Sequence, residues 1–219
     1  MTDIVDMDLA ENPENRLPVV LILDASSSMA KQPIAELNEG IKVFKEELLK
    51  DTQARLSVEV SIVVVSGEKA FVSQEFVTAD NFEPKELLAD GRTPMGEGIK
   101  LAIEELQARK DSYKRNDIGY FRPWIIIMSD GQPTDEWKVP AAQLRKEEEN
   151  GSLICYPIAI GLADIDILGQ MSGVNQPVRL KGLAFKEMFQ WLSASVTEVS
   201  RSGVGNAIEL PPVAWGEVK

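Results

Sequence analysis

Four runs of this chain are almost wholly apolar: Val19–Leu23, Leu56–Val65, Trp124–Met128 and Leu153–Ile160. Such runs suit strands covered on both faces. Between them the spacing changes. Pro33–Leu49 sets Ile34, Leu37, Ile41, Phe44 and Leu48 on one helical face, and Gly96–Ala108 does the same with Ile99, Ala102, Ile103 and Leu106. Val139–Glu149 reads as a helix stopped by Asn150-Gly151, and Asp164–Met171 as a short one. A last helix over 184–201 carries a stripe of Phe185, Met188, Phe189, Leu192, Val196 and Val199. Strands alternating with helices predict an α/β fold: a doubly wound, mostly parallel, Rossmann-like sheet with helices on both faces. Ala70–Val77 is a further strand. Only Ser66–Lys69 joins it to the one before, so it pairs as one antiparallel edge strand. Val178–Leu180 reads as a short edge strand, and the polar, basic stretch Arg109–Arg122 as a solvated connection.

One domain over 17–201 accommodates these elements. Residues 1–16 hold Asp3, Asp6, Asp8, Glu11 and Glu14 and read as an acidic, flexible leader. Residues 202–219 contain Gly203, Gly205, Pro211 and Pro212 and read as an irregular tail that Trp215 packs back onto the body. A net charge of −12 argues against nucleic acid and against an anionic membrane surface as partners. The absence of histidine removes His-ligated zinc and His-based acid–base catalysis. The single cysteine, Cys155, reads as a small buried hydrophobe. It leaves no disulfide framework, which fits a reduced, cytoplasmic compartment, and no secretory leader or membrane-spanning run is present.

In a doubly wound sheet, ligands bind beyond the carboxyl ends of the strands. Three oxygen-rich segments fall on that edge: Asp24-Ala25-Ser26-Ser27-Ser28 after the first strand, Gly91-Arg92-Thr93-Pro94-Met95-Gly96 before a helix, and Ser129-Asp130-Gly131-Gln132-Pro133-Thr134-Asp135 after Trp124–Met128. Ser26, Ser28 and Thr93 offer hydroxyls; Asp24 and Asp130 offer carboxylates. Hard oxygen donors of this kind suit Mg²⁺ or Mn²⁺ rather than a many-oxygen Ca²⁺ cage. Mostly neutral donors leave the ion's charge under-compensated and a position held by exchangeable water. An acidic side chain of another protein can take that position.

The order Asp24-x-Ser26-x-Ser28, then Thr93, then Asp130 resembles the von Willebrand factor A domain and its metal-ion-dependent adhesion site. The resemblance implies a doubly wound sheet with an antiparallel edge strand, and a protein-binding role. More narrowly, Asn12-Pro13-Glu14, Tyr120–Trp124, Asp130–Trp137, Leu180–Leu183 and Phe189–Ser193 resemble the TerY-type proteins of bacterial tellurite-resistance and stress-response clusters. That likeness implies a protein kinase and a metal-dependent protein phosphatase as partners. Ser27 stands where many members carry glycine.

Further residues border these loops. Thr134 and Asp135 are expected to cap the helix beginning near Val139, with Asp135 also on the metal rim. Trp137 is either packing beneath the Asp130 loop or an aromatic anchor for a partner, and Met95 is a weaker contact candidate. The leading expectation is a non-enzymatic, metal-dependent protein-binding module. The alternatives are a metal-dependent phosphoryl or ester hydrolase and a metal-independent scaffold. The hydrolase lacks histidine, a phosphate-binding glycine loop and an acid cluster suited to two metals.

Overall fold

The computed structural model of the chain describes residues 12–205 and 209–218. In chain order the elements are β1 (Leu17–Asp24), α1 (Gln32–Leu49), α2 (Thr52–Ser57), β2 (Val58–Ser66), β3 (Lys69–Thr78), α3 (Met95–Arg115), β4 (Trp124–Ser129), α4 (Lys138–Glu149), β5 (Ile154–Ala159), α5 (Ile165–Gly169), β6 (Val178–Leu180), α6 (Phe185–Arg201) and β7 (Gly216–Val218). They form a seven-stranded sheet of order β3-β2-β1-β4-β5-β6-β7, parallel except at its two edges. The chain winds outward from β1 through β2 to β3, then returns to β4 on the other side of β1. The direction of winding therefore reverses between β1 and β4. That crevice is where a doubly wound sheet offers its ligand site.

The apolar runs read as doubly covered strands because both of their faces are buried, and the alternation sorts them into two cores. Leu17, Val19, Leu21 and Leu23 pack with α1, α2 and α6, whereas Val20 and Ile22 pack with α3, α4 and α5. Helix α6 lies against α1, where a Cβ on Gly40 would stand only 2.6 Å from the Phe189 ring. Cys155 is free and fully buried, as its apolar surroundings suggested.

Four details differ from the sequence reading. Leu56 and Ser57 belong to α2, not to the following strand. Asp51 starts that helix by accepting from the Ala54 N–H at 2.8 Å, so β2 begins at Val58. Secondly, the expected solvated connection over 109–122 is instead helical through Arg115, with Arg109, Lys110 and Tyr113 buried. Glu59 on β2, itself buried, is the cause. It accepts from Arg16 Nε at 3.1 Å, Arg109 Nε at 2.6 Å and the Tyr113 hydroxyl. The Lys110 ammonium meanwhile donates to the Ser152 carbonyl at 2.9 Å. These polar groups are inside because they are paired.

The third difference concerns the two ends of the body. The expected acidic leader lies outside the described residues as far as residue 11. From Asn12 onward the chain is held: Asn12 Nδ2 donates to the Leu56 carbonyl at 2.8 Å, and Arg16 is fully buried. Finally, the tail over 209–218 ends in a regular strand. β7 pairs antiparallel with β6, so Val178–Leu180 is not the edge strand the sequence suggested and the sheet has a second antiparallel edge; Trp215 packs edge-on against Trp191, at 5.4 Å between ring centroids.

Candidate metal centre

The register Leu23↔Met128 carries β1 and β4 side by side to their carboxyl ends, which puts Asp24 next to Ser129. Asp24 is wholly buried. Its Oδ1 accepts from the Ser26 N–H at 2.9 Å, and its Oδ2 accepts from the Ser129 hydroxyl at 2.5 Å. The first bond folds the Asp24–Ser28 loop back on itself; the second ties it to the neighbouring strand. Ser26 Oγ and Ser28 Oγ lie 2.9 Å apart and share a hydrogen bond, and Ser28 Oγ donates to Asp130 Oδ1 at 2.7 Å. Burial pushes the Asp24 carboxyl above its ordinary range, against the hydrogen bonds from Ser129 and Ser26. A cation in contact would act in the opposite direction.

Thr93 comes from the third loop and is buried. A Cβ placed on Gly131 would stand 3.4 Å from Thr93 Oγ1, 3.8 Å from Ser28 Oγ and 3.9 Å from Asp24 Oδ2. All three loops therefore aim oxygens at one small region beside Gly131, and a side chain there would enter it. The spacing suits a small ion. Adjacent ligands of an octahedral Mg²⁺ with bonds of about 2.1 Å lie about 3.0 Å apart, close to the separations within the serine pair and between Ser28 and Asp130. Two carboxylates and three hydroxyls make up the set. Accordingly, no cluster of three or more His, Cys, Asp or Glu able to hold a metal is found among the described residues.

Backbone bonds hold the three loops independently of any ion. Ala25 N donates to the Val65 carbonyl, Ser27 N to that of Gly91, and Asp90 N to that of Ala25, at 2.9, 3.0 and 2.9 Å. Gly91, with φ +60°, passes so close to Gly67 that a Cβ would meet its Cα at 2.4 Å. Thr93 is fixed on two sides by Thr134, whose N–H donates to the Thr93 carbonyl at 2.9 Å and whose Oγ1 accepts from the Thr93 N–H at 3.2 Å. Gly96 lets the start of α3 approach the Glu136–Trp137 backbone, since a Cβ would stand 2.3 Å from the Glu136 carbonyl oxygen.

The structure thus brings Asp24, Ser26, Ser28, Thr93 and Asp130 to one place. It assigns the bordering residues differently from the sequence reading. Asp135 caps α3, not the helix that follows it: Oδ1 accepts from Gly96 N at 3.0 Å and Oδ2 from Glu97 N at 2.9 Å. Glu136 caps α4 instead, accepting from Lys138 N at 2.8 Å. Met95 is fully buried in the α3 core, which leaves it no surface for a partner. Trp137 is half-buried and packs on that same core, which favours the packing role. Ser129 and Thr134 are the supports that the sequence reading gave no such role. Their only signal was a hydroxyl within the strand-end loop.

The von Willebrand factor type A domain profile matches residues 19–187, and the chain belongs to that family. Solved structures agree on the fold. The pilus adhesin SpaC from Lactobacillus rhamnosus GG superposes with a TM-score of 0.68 at 13% identity, covering 86% of this chain and 31% of the adhesin. Proximal thread matrix protein 1 from the mussel byssus gives 0.58 at 18% identity, covering 84% of this chain and 48% of that one. The chain therefore spans about half of the byssus protein and about a third of the adhesin. The von Willebrand factor domain of the pilus tip protein Mfa5 from Porphyromonas gingivalis gives 0.61 at 13% identity, covering 88% of this chain and 99% of that domain. No curated protein sequence matches the chain.

Proposed function

We propose that this chain is a non-enzymatic, metal-dependent protein-binding module. A Mg²⁺ or Mn²⁺ ion is held by Asp24, Ser26, Ser28, Thr93 and Asp130. When bound, the ion offers a Lewis-acidic position to an Asp or Glu of a partner protein. The observation that carries the reading is the convergence of these five oxygen-bearing side chains, from three loops, at the reversal point of the sheet. The chain's own residues prepare that point. Ser129 orients Asp24, Thr134 fixes Thr93, and Asp135 anchors the helix that follows Thr93. Ser28 is exposed beside them and leaves the site open to a partner.

The TerY-type likeness extends the proposal to context: a bacterial, cytoplasmic tellurite-resistance or stress-response signalling system, with a protein kinase and a metal-dependent protein phosphatase as partners. No described helix is long and apolar enough to cross a membrane.

Thermal unfolding with and without Mg²⁺, joined to affinity capture from the source cell, tests the reading. At a hundredfold excess over the dissociation constant, binding stabilises a fold by about 2.7 kcal/mol. That corresponds to roughly 5–10 °C for a domain of this size. The wild type should show the shift, and it should capture its partner with Mg²⁺ but not with chelator. Folded Asp24→Ala should show neither effect. Metal-independent capture by Asp24→Ala refutes the proposal.

A further inference from the structure

The five side chains of the candidate metal centre leave its ion one ligand short. Mg²⁺ takes about six oxygens, and Asp24, Ser26, Ser28, Thr93 and Asp130 supply one side chain each. The carboxylates bordering the site are already committed: Asp135 caps α3 and Glu136 caps α4. The remaining acid must come from another segment. Residues 1–11 of the chain hold four acids, Asp3, Asp6, Asp8 and Glu11, with no Lys or Arg among them.

The fold decides whether those acids can serve their own site. The leader joins the body at Asn12, whose side chain donates to the Leu56 carbonyl at 2.8 Å, and Leu56 lies just before Val58, the partner of Leu17 at the start of β1. Asp24 stands at the other end of that strand, about 23 Å further along at 3.3 Å per residue. Both faces of β1 are covered by helices, each about 10 Å across, so a route over the surface from Asn12 to Asp24 exceeds about 40 Å. Fully extended, the chain carries Asp8 at most about 14 Å from Asn12, Asp6 about 22 Å and Asp3 about 32 Å. None of them reaches the metal centre of its own chain, whereas a second copy has no such limit. The net charge of −12 opposes association of two copies face to face, and a contact made through a terminal segment keeps the bodies apart.

We propose that the leader of one copy supplies the carboxylate that completes the metal centre of another copy. The partner is thus a second copy of this chain, joined through the ion. The inference rests on the metal-dependent reading above. Leader and metal centre are unlike surfaces, so each contact is heterologous, and a chain lacking one half should be complemented by a chain lacking the other.

Sedimentation velocity of the full chain at about 0.1 mM, in Mg²⁺ or in chelator at matched ionic strength, tests it. In Mg²⁺ the weight-average mass of the wild type should rise about twofold or more, and in chelator it should be that of one chain. A leader variant combining Asp3→Asn, Asp6→Asn, Asp8→Asn and Glu11→Gln should stay a single chain in Mg²⁺ yet keep the Mg²⁺-induced thermal shift of the wild type to within about 2 °C. Folded Asp24→Ala should also stay a single chain. An equimolar mixture of the two, one bringing the site and the other the leader, should associate in Mg²⁺ and come apart in chelator. A wild type that shows the Mg²⁺ thermal shift but remains a single chain overturns this inference alone. So does a leader variant that associates as the wild type does, or a mixture that stays as single chains. Association that ignores chelator overturns the joining of copies through the ion. A wild type without the Mg²⁺ thermal shift overturns the metal reading and this inference with it.

Discussion

Lys31 offers the sharpest test of how the Asp24–Ser28 loop passes into α1. It stands at φ 71° and ψ −119°, a region that residues with a Cβ rarely occupy, and it makes no side-chain cap for the helix it precedes. A non-glycine residue held there costs about 1–3 kcal/mol. Glycine would remove that strain but adds about 0.5–1 kcal/mol of unfolded-chain entropy to be lost on folding. Lys31→Gly should therefore stabilise the fold by about 0.5–2 kcal/mol. For a domain of this length each kcal/mol moves the melting midpoint by about 2–4 °C, so a rise centred near about 4 °C is expected. The assay is thermal and urea unfolding in chelator, so that ion binding contributes nothing. Lys31→Ala is the control: the side chain is exposed in either case, but alanine keeps the Cβ and should gain almost nothing. If Lys31→Gly is no more stable than wild type, or if Lys31→Ala gains as much, the strain argument is wrong.

Three further substitutions probe the scaffold. Glu59→Gln leaves two buried arginines short of their counter-charge and should cost about 3–5 kcal/mol in urea unfolding; a loss under 1 kcal/mol would show that the cluster is not a closed network. Asp135→Ala removes the acceptor for two N–H groups at the start of α3, with an expected loss of about 1–2 kcal/mol and weaker Mg²⁺ binding by calorimetry, because Thr93 lies just before that helix. Asp51 is held below its ordinary carboxylate range, first by the Ala54 N–H and then by Arg201. Its stabilisation is therefore complete above the unfolded value of about 3.9 and is lost as the pH falls through the lower folded value. The unfolding free energies of wild type and Asp51→Ala from urea titration should differ by about 1 kcal/mol at pH 6 and draw together as the pH falls below the ordinary carboxylate range.

Most of the sheet was legible because its strands are apolar on both faces and its helices are not. The errors share a cause. Leu56-Ser57 continues the alternation of β2 without a break, and only the Asp51 cap, a bond to Ala54, places it in a helix. Residues 109–115 look solvated because hydrophobic periodicity counts Arg109 and Lys110 as outward-facing. Their burial depends on Glu59, some fifty residues earlier in sequence, and on the Ser152 carbonyl. The short strand after Trp215 was invisible for a related reason. Three residues with no pattern of their own pair with β6, next to a Trp191–Trp215 contact between residues far apart in sequence.

The same division runs through the site. The candidate ligands were legible because they sit at strand ends, and the topology gathers strand ends at one edge. Asp24 follows β1 and Asp130 follows β4, and the winding reverses between those two strands. The supports were not legible, because each acts across loops that are remote in sequence. Ser129 reaches Asp24 over 105 residues, Thr134 meets Thr93 over 41, and Asp135 caps a helix that begins 40 residues before it. That separation has a physical consequence. Burying Asp24 beside Asp130 is unfavourable on both desolvation and charge, and the two carboxylates stay close because neutral hydroxyls and backbone N–H groups hold the loops where they are. The fold thus supplies the geometry and leaves the charge to be balanced from outside. A divalent cation would balance it and leave a coordination position for a partner's acid, whereas a side chain in place of Gly131 would fill the space instead.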